Sequence, residues 1–308
     1  MKRHSRKVLV TGGVGFIGSH LVDKLVHAGY SVAVVDANIS QNPDRKAGLV
    51  WHKANTTDPS IEKIFGSSVP KVVFHLAGPI YLRQPIMSQE FTTSLNFLDG
   101  LMNLLNAARN HGTRKFILIS SGGAIYGDAR LIPTPEDYPP QPNGLYGLAN
   151  LMMENVLQEF CSQNQIGWQI LRLGNIYGPR QWKGGIIPGL TMSLLAGTAP
   201  VINGDGQQTR DFLYIGDAID AFMLAMNKDI SGIFNISSGI EIPINAVVSE
   251  LVKLTKVNIN PRYRLNQEAG VRRSCLDNSK FRSDFGWEPK TCLKDGLVKT
   301  VLWYGETH

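Results

Sequence analysis

Cysteine is scarce in this chain: Cys161, Cys275 and Cys292 are the only three among 308 residues. They have no CxxC or metal-ligand spacing, and any disulfide scheme leaves one over. A disulfide scaffold is therefore not expected, and a reducing cytoplasm is the simpler setting. Histidine is dispersed, seven in all and without an HExxH pattern, which argues against a catalytic metal. Long apolar runs are missing as well, so neither a membrane span nor the apolar core of a signal peptide is expected. No internal repeat or low-complexity tract interrupts the chain. With 18% charged and 43% hydrophobic residues, the composition is that of a folded globular protein and not of a disordered one.

Basic charge is present but poorly organised. The formal net charge is +6, and much of it comes from "KRHSRK" near the amino end, which reads as a solvated tail. No basic stripe with interleaved aromatics follows. Nucleic acid is not an expected partner, whereas a small anionic ligand suits the charge.

Short branched-apolar runs alternate with longer helix-like segments through the first half. "KVLV", "SVAVVD", "KVVFHLA", "KFILIS" and "WQILRL" read as strands, with enough chain between them for crossover helices. This rhythm predicts an α/β fold of the Rossmann type, a doubly wound parallel sheet with both faces covered. Apolar spacing of three and four predicts helices in "LDGLMNLLNAARNHG", stopped near Gly112, and in "LANLMMENVLQEFCSQNQ". Beyond Gly174 the chain turns to Gly- and Pro-rich connections, which predicts a smaller α/β lobe. The expected organisation is a cofactor domain over 1–175 with 209–230 returning to it, and a substrate lobe mainly from 176–208 and 231–308.

"VLVTGGVGFIGSHLVDKL" places Gly12, Gly15 and Gly18 between a predicted strand and helix. Such a turn lets backbone approach a diphosphate, which the unpaired amides of the helix terminus can then bind. Asp36 closes the next predicted strand and suits both adenosine-ribose hydroxyls; it would repel a further phosphate there, favouring NAD over NADP. Asp58 has two readings, a group beside the adenine or the start of the helix in "PSIEKIF". His75 reads as a buried, hydrogen-bonded residue before it reads as a proton shuttle.

"ILISSGGAIYG" ends a strand and brings Ser120, Ser121 and Tyr126 to the carboxyl edge of the sheet, where open α/β sheets bind ligands. Ser121 either orients a substrate hydroxyl or caps the local turn. Tyr126 either lines a sugar pocket or packs as an aromatic. Downstream, "YGLAN" puts Tyr146 at the opening of a predicted helix and Asn150 one turn later on the same face. A tyrosine can carry a proton at neutral pH if its phenolate is stabilised by charge.

In order, "TGGVGFIGSH", "HLAG", "SSGGAIYG", "YGLAN", "LRLGNIYGPRQ", "NGDGQQTRDFLYIGDA" and "DNSKFRSDFGWEP" span nearly the whole chain. In them the chain resembles the extended short-chain dehydrogenase/reductases of the NAD-dependent epimerase/dehydratase family, and the nucleotide-sugar 4-epimerases in particular. The resemblance implies NAD held by Gly12, Gly15, Phe16, Ile17, Gly18, Asp36, Asn55, Leu76, Ala77 and Tyr146. It implies a nucleotide sugar, UDP-linked, whose diphosphate lies in the second lobe. Tyr146 would take the proton from the sugar's 4-hydroxyl, with Ser121 and Asn150 beside it, on the way to a 4-keto intermediate.

Substrate contacts implied by the resemblance are Tyr126, Asn175, Arg210, Arg272 and Ser274. Arg210 is a forked phosphate donor by its chemistry, with a structural ion pair as the rival reading; Asp211 reads as an internal partner. Ser274 falls near the family's size gate beside the sugar's second carbon, where a small hydroxyl admits an N-acetyl group. A homodimer through the two long helices is typical of the family, although an intramolecular core explains their apolar faces equally.

Two members of the family's active-site triad are changed. Gly122 stands where a Ser or Thr is expected and Asn150 stands where the Lys of YxxxK is expected. The missing cation is worth roughly 4 kcal/mol if nothing compensates. Gln267 replaces an expected diphosphate-binding arginine, for which Arg264 or Arg272 can substitute. Asn55 replaces an adenine-side aspartate, and Phe97 stands beside Asn96 where an asparagine is common. Gly123 and Ala124 occupy positions that carry acids in the family's dehydratases and decarboxylases. A 4-epimerase is therefore expected first, an atypical dehydratase or reductase second, and a binding protein with impaired turnover third.

Overall fold

A computed structural model of the chain describes residues 7–40, 46–78, 88–181, 184–265 and 270–307. In chain order the elements begin with β1 (Lys7–Thr11), α1 (Phe16–His27), β2 (Ser31–Asp36), β3 (Leu49–Lys53), α2 (Ser60–Ser68) and β4 (Val72–His75). Next come α3 (Ser88–Asn110), β5 (Lys115–Ser121), α4 (Gly122–Tyr126), α5 (Gly144–Gln163), β6 (Gly167–Leu173), β7 (Asn175–Tyr177) and α6 (Ile186–Leu195). The remainder is β8 (Val201–Asn203), β9 (Thr209–Tyr214), α7 (Ile215–Asn227), β10 (Gly232–Ile236), β11 (Glu241–Pro243), α8 (Ile244–Thr255), β12 (Arg262–Arg264), α9 (Ser279–Phe285) and α10 (Leu293–Thr307). Two compact units result, one from Met1–Ile125, Pro142–Arg172 and Phe222–Phe234, the other from Tyr126–Gln141, Leu173–Ala221 and Asn235–His308.

Branched apolar strands buried on both faces build the first unit around a seven-stranded sheet of order β10-β6-β5-β4-β1-β2-β3. β1 pairs in parallel with both β2 and β4, β2 with β3, and β4 with β5. This is the doubly wound parallel arrangement that the alternating pattern predicts, with the order reversing at β1. Leu9, Val73, Phe116 and Leu118 of the sheet pack with Leu101, Leu104 and Leu105 of α3 and with Met153 and Leu157 of α5. Phe97 packs against the same cluster. β3 has no clear signal in the sequence, because "LVWHK" is an edge strand whose residues are partly buried or exposed.

Lys115, at the start of β5, is 4% exposed. Its ammonium donates to the carbonyls of Ala225, Met226 and Lys228 at the carboxyl end of α7. A cation there offsets the partial negative charge of the helix end. Burial nevertheless pushes its pKa down, against the attraction of Asp229.

In the second unit β9 lies between antiparallel β11 and parallel β7, and β12 pairs in parallel with β8. Its core gathers Leu190 and Leu194 of α6, Val247 and Leu251 of α8, Phe212 of β9 and Leu297 of α10. Among the described residues no helix is long and apolar enough to cross a membrane. No His, Cys, Asp or Glu cluster among them is arranged to hold a metal.

Candidate active site

The glycine-rich turn leaves β1 and enters α1. Gly12 has φ +72°, and a Cβ on it would stand 2.8 Å from the Ala77 amide nitrogen, so only glycine lets this turn close on the end of β4. A Cβ on Gly18 would overlap the Gly12 carbonyl oxygen, which sets α1 directly against the turn. Gly15 precedes α1 without any side-chain cap, and the first helical turn holds no acid. The leading amides are thus left for an anion. At the end of β2, Asp36 accepts from the amides of Val14 at 3.0 Å and Asn38 at 2.9 Å, which fixes its carboxylate beside the turn. These donors, this close backbone and this single acid fit a dinucleotide carrying an unmodified ribose.

The end of β4 is tied to the same turn. The Leu76 amide donates to the Thr11 carbonyl at 3.2 Å, and the Ala77 amide donates to Thr11 Oγ1 at 3.3 Å. Thr11 Oγ1 lies 2.7 Å from His75 Nδ1. Accepting from Ala77 leaves the hydroxyl both a lone pair and its proton, so the contact with Nδ1 is satisfied by either neutral tautomer of the ring. Nε2 has no partner among the described residues, and burial pushes the His75 pKa down to about 4. His75 is a buried neutral spacer that braces the turn. Asp58 accepts from the Ser60 amide at 2.7 Å and so serves the start of α2; Asn55 is exposed just before it.

At the carboxyl end of β5 the chain turns at once into α4. α5 begins at Gly144, four residues before the predicted segment that opens at Leu148, so Tyr146 lies inside its first turn. The Asn143 amide donates to the Ala124 carbonyl at 3.3 Å. A Cβ on Gly147 would overlap that same oxygen, so glycine beside Tyr146 is what brings this turn of helix onto α4, the turn that follows β5. Ser121 and Tyr146 are both half-buried there. Neither side-chain oxygen has a hydrogen-bond partner among the described residues.

Asn150 is 4% exposed, and its Nδ2 donates to the Tyr146 carbonyl oxygen at 2.8 Å. One N–H of the amide that replaces the expected lysine is therefore bonded to its own helix backbone. One turn further, Glu154 meets Arg172 of β6 in a buried ion pair, with Arg172 Nη2 2.7 Å from Oε2. Arg172 Nε approaches both carboxylate oxygens, at 3.2 and 3.1 Å. Ser120 Oγ donates to Glu154 Oε1 at 2.5 Å. Sequence reasoning misses this network. A glutamate within the apolar face of "LANLMMENVLQEF" and an arginine within "WQILRL" are its signals, since opposite charges on two buried faces require each other.

The second unit holds the remaining expected residues. Tyr126 is 1% exposed and its hydroxyl donates to Asn235 Oδ1 at 3.1 Å. Its expected place in a sugar pocket gives way to the packing role, because ring and hydroxyl are both consumed internally. Arg210 Nη1 donates to the carbonyls of Thr209 at 2.6 Å and Val271 at 2.7 Å, tying β9 to the segment carrying Arg272 and Ser274. Arg272 pairs with Asp205 at 2.8 and 3.2 Å, both exposed. That hydrogen bond holds the Asp205 carboxyl below its usual range. Asn175 and Ser274 are half-buried, and neither side chain has a hydrogen-bond partner among the described residues. Arg264 is exposed on β12, and Gln267 lies outside the described residues.

Asp211 is an internal partner, but of amides and hydroxyl rather than of an arginine. It accepts from Ser238 N and Oγ at 2.7 and 2.6 Å, from Gly239 N at 3.1 Å and from Leu276 N at 3.2 Å. Burial pushes its pKa up against these four donors.

The chain is similar to proteins of known family and structure. The model of the NAD dependent epimerase/dehydratase family matches residues 8–237. A putative UDP-glucose 4-epimerase of Methanocaldococcus jannaschii is 35% identical over 306 residues, covering 96% of this chain and 97% of that one. The structure of a UDP-glucose 4-epimerase from Thermotoga maritima with UDP-glucose superposes with a TM-score of 0.91 at 36% identity, covering 97% of this chain and 99% of that one. That of a Thermus thermophilus UDP-glucose 4-epimerase in complex with NAD gives 0.87 at 29% identity, covering 98% and 99%.

Proposed function

The chain belongs to the NAD dependent epimerase/dehydratase family, and from that membership and the strand end at Tyr146 we propose that it interconverts a UDP-hexose or UDP-N-acetylhexosamine at the fourth sugar carbon. NAD is the cofactor, held by the Gly12–Gly18 turn, the uncapped start of α1 and Asp36. When bound, it supplies reversible hydride acceptance, which no side chain can provide. The observation that supports the reading is that α5 meets the turn after β5 beside Tyr146, and that neither the Ser121 nor the Tyr146 hydroxyl has a hydrogen-bond partner among the described residues.

Tyr146 handles the proton. As the phenolate, its oxygen takes the proton of the 4-hydroxyl and later returns one to the same sugar oxygen, so the residue ends as the phenolate it began as. Ser121 orients that hydroxyl, in place of the side chain absent at Gly122. No carboxylate stands at Gly123 or Ala124 to drive elimination, which favours epimerisation over dehydration or decarboxylation. In the second unit Asn175 and Ser274 offer an amide and a small hydroxyl to the nucleotide sugar. Arg210 is held in place by two carbonyls. Arg272 would reach a phosphate by leaving Asp205, an exposed pair of little energetic weight.

A second reading, binding with poor turnover, is favoured by one observation: the Asn150 amide is bonded to the Tyr146 carbonyl and supplies no positive charge to the phenol. Incubation with a panel of UDP-sugars, followed by sugar NMR and cofactor absorbance, separates the two. Interconversion of two hexose isomers without net cofactor reduction is expected, and ligand binding with no product would sink the proposal. A homodimer through α3 and α5 belongs to the same reading. Met102, Leu148 and Met152 are exposed on those helices, and sedimentation as a monomer would refute it.

A further inference from the structure

Below the strand end lies a buried polar network that the proton chemistry does not use. Ser120, Glu154 and Arg172 are 4%, 2% and 2% exposed. They belong to β5, α5 and β6, three elements of the first unit. Ser120 adjoins Ser121 in the chain. Glu154 follows Tyr146 and Asn150 at steps of four, so the three share one helix face. We infer that Ser120, Glu154 and Arg172 form a clamp that positions Tyr146 against Ser121, with Glu154 as its central positioning residue; this rests on the reading of Tyr146 as the proton carrier.

Geometry rather than stability accounts for the network. The same three elements also give Leu118, Met153, Leu157 and Ile170 to the apolar core, and apolar residues of similar volume fill such a site as stably as an ion pair does. What the polar groups add is direction. The Arg172 fork engages both carboxylate oxygens, and Ser120 takes one of them from the strand side. This fixes the height of α5 along β5, which apolar contacts leave free to slide. A second restraint lies seven residues earlier, where Gly147 sits on the Ala124 carbonyl. The two contacts are about 10 Å apart along the helix axis. A helix held at both points cannot tilt or slide, and Tyr146 is carried at the upper one, next to the strand end that presents Ser121. Displacement of a reacting group by about 1 Å is enough to cost up to about a hundredfold in rate.

Ser120→Ala tests the clamp, since it cuts the tie between strand and helix while leaving the Glu154–Arg172 pair intact. Expected is a fall in kcat of about tenfold or more, with KM and NAD retention within about twofold. Ser120→Thr, which keeps the hydroxyl, recovers most of the loss. In a Tyr146→Phe background Ser120→Ala costs nothing further, because it acts through the tyrosine. Amide exchange of a peptide spanning 144–152 quickens about tenfold in Ser120→Ala, while peptides from β1 and α1 stay unchanged. An unchanged kcat, a loss additive with Tyr146→Phe, or unchanged exchange at 144–152 overturns the inference. If the wild-type chain turns over no UDP-sugar, the functional reading falls instead. The clamp is then decided by exchange alone, local quickening supporting it and no change refuting it.

Discussion

The Asn150 side chain donates to the Tyr146 carbonyl oxygen at 2.8 Å, so the residue where the family carries a lysine is turned toward the backbone of the tyrosine and not toward its phenol. Asn150→Ala is accordingly expected to change kcat by less than about threefold, since the amide contributes one modest hydrogen bond within a helix. Asn150→Lys is expected to raise kcat at neutral pH by roughly a hundredfold and to move the rising limb of the pH profile to lower pH. A pH-rate series on the three proteins decides it. No gain with lysine would mean that another group already supplies the charge.

Glu154 and Arg172 give a stability prediction with an asymmetry. Glu154→Ala removes the carboxylate that faces the buried Arg172 guanidinium and is expected to cost about 3–5 kcal/mol in denaturant unfolding. The double variant Glu154→Met with Arg172→Met removes both charges at similar volume, and its stability is expected within about 1 kcal/mol of wild type or above it. Activity should not return with stability, because the helix then lacks its register. A double variant that is stable and fully active would remove the clamp from the mechanism.

Glycine spacing, the acid at the end of β2 and the apolar rhythm are legible in the amino-acid sequence because they report local backbone demands, which repeat wherever a strand enters a helix at a phosphate site. Tyr146 is legible because it stands in a recurrent motif. Side chains whose role depends on a distant partner are not. Tyr126 has the sequence setting of a ligand-facing residue, yet Asn235, more than a hundred residues away, takes its hydroxyl. Asp211 suggests an ion pair, but its partners are amides set by turns at 238–239 and 276. Glu154 can be recognised as misplaced in an apolar face, while only the packing of α5 on β5 and β6 names Ser120 and Arg172 as the reason.

Asp36 should govern cofactor choice. Its carboxylate is oriented by the Val14 and Asn38 amides, and its charge opposes a ribose phosphate. Asp36→Asn is expected to weaken NAD about tenfold while raising the relative affinity for NADP by about the same factor, through lost repulsion and a weaker acceptor. Calorimetric titration with both nucleotides measures this. An unchanged NAD to NADP ratio would show that Asp36 only holds the turn.

His75 supplies the acid limit of the fold. Buried against Phe116, with Nδ1 at Thr11 and Nε2 without a partner among the described residues, its doubly protonated ring would hold an Nε2 proton with no acceptor among them. Its pKa of about 4 in the folded chain lies below the ordinary 6.5. A depressed value means that the unfolded chain takes the proton first. The stability contributed by the neutral ring is complete above pH 6.5 and drains away as pH falls toward 4, by about 3 kcal/mol in all. In His75→Gln that slope is removed, although the variant starts from a lower stability at about pH 7 because the brace to Thr11 is altered. Urea midpoints followed in small steps from neutral pH down to about pH 4 should therefore converge for the two proteins as acid is added. Parallel curves would mean that His75 is protonated without penalty and that water reaches its Nε2.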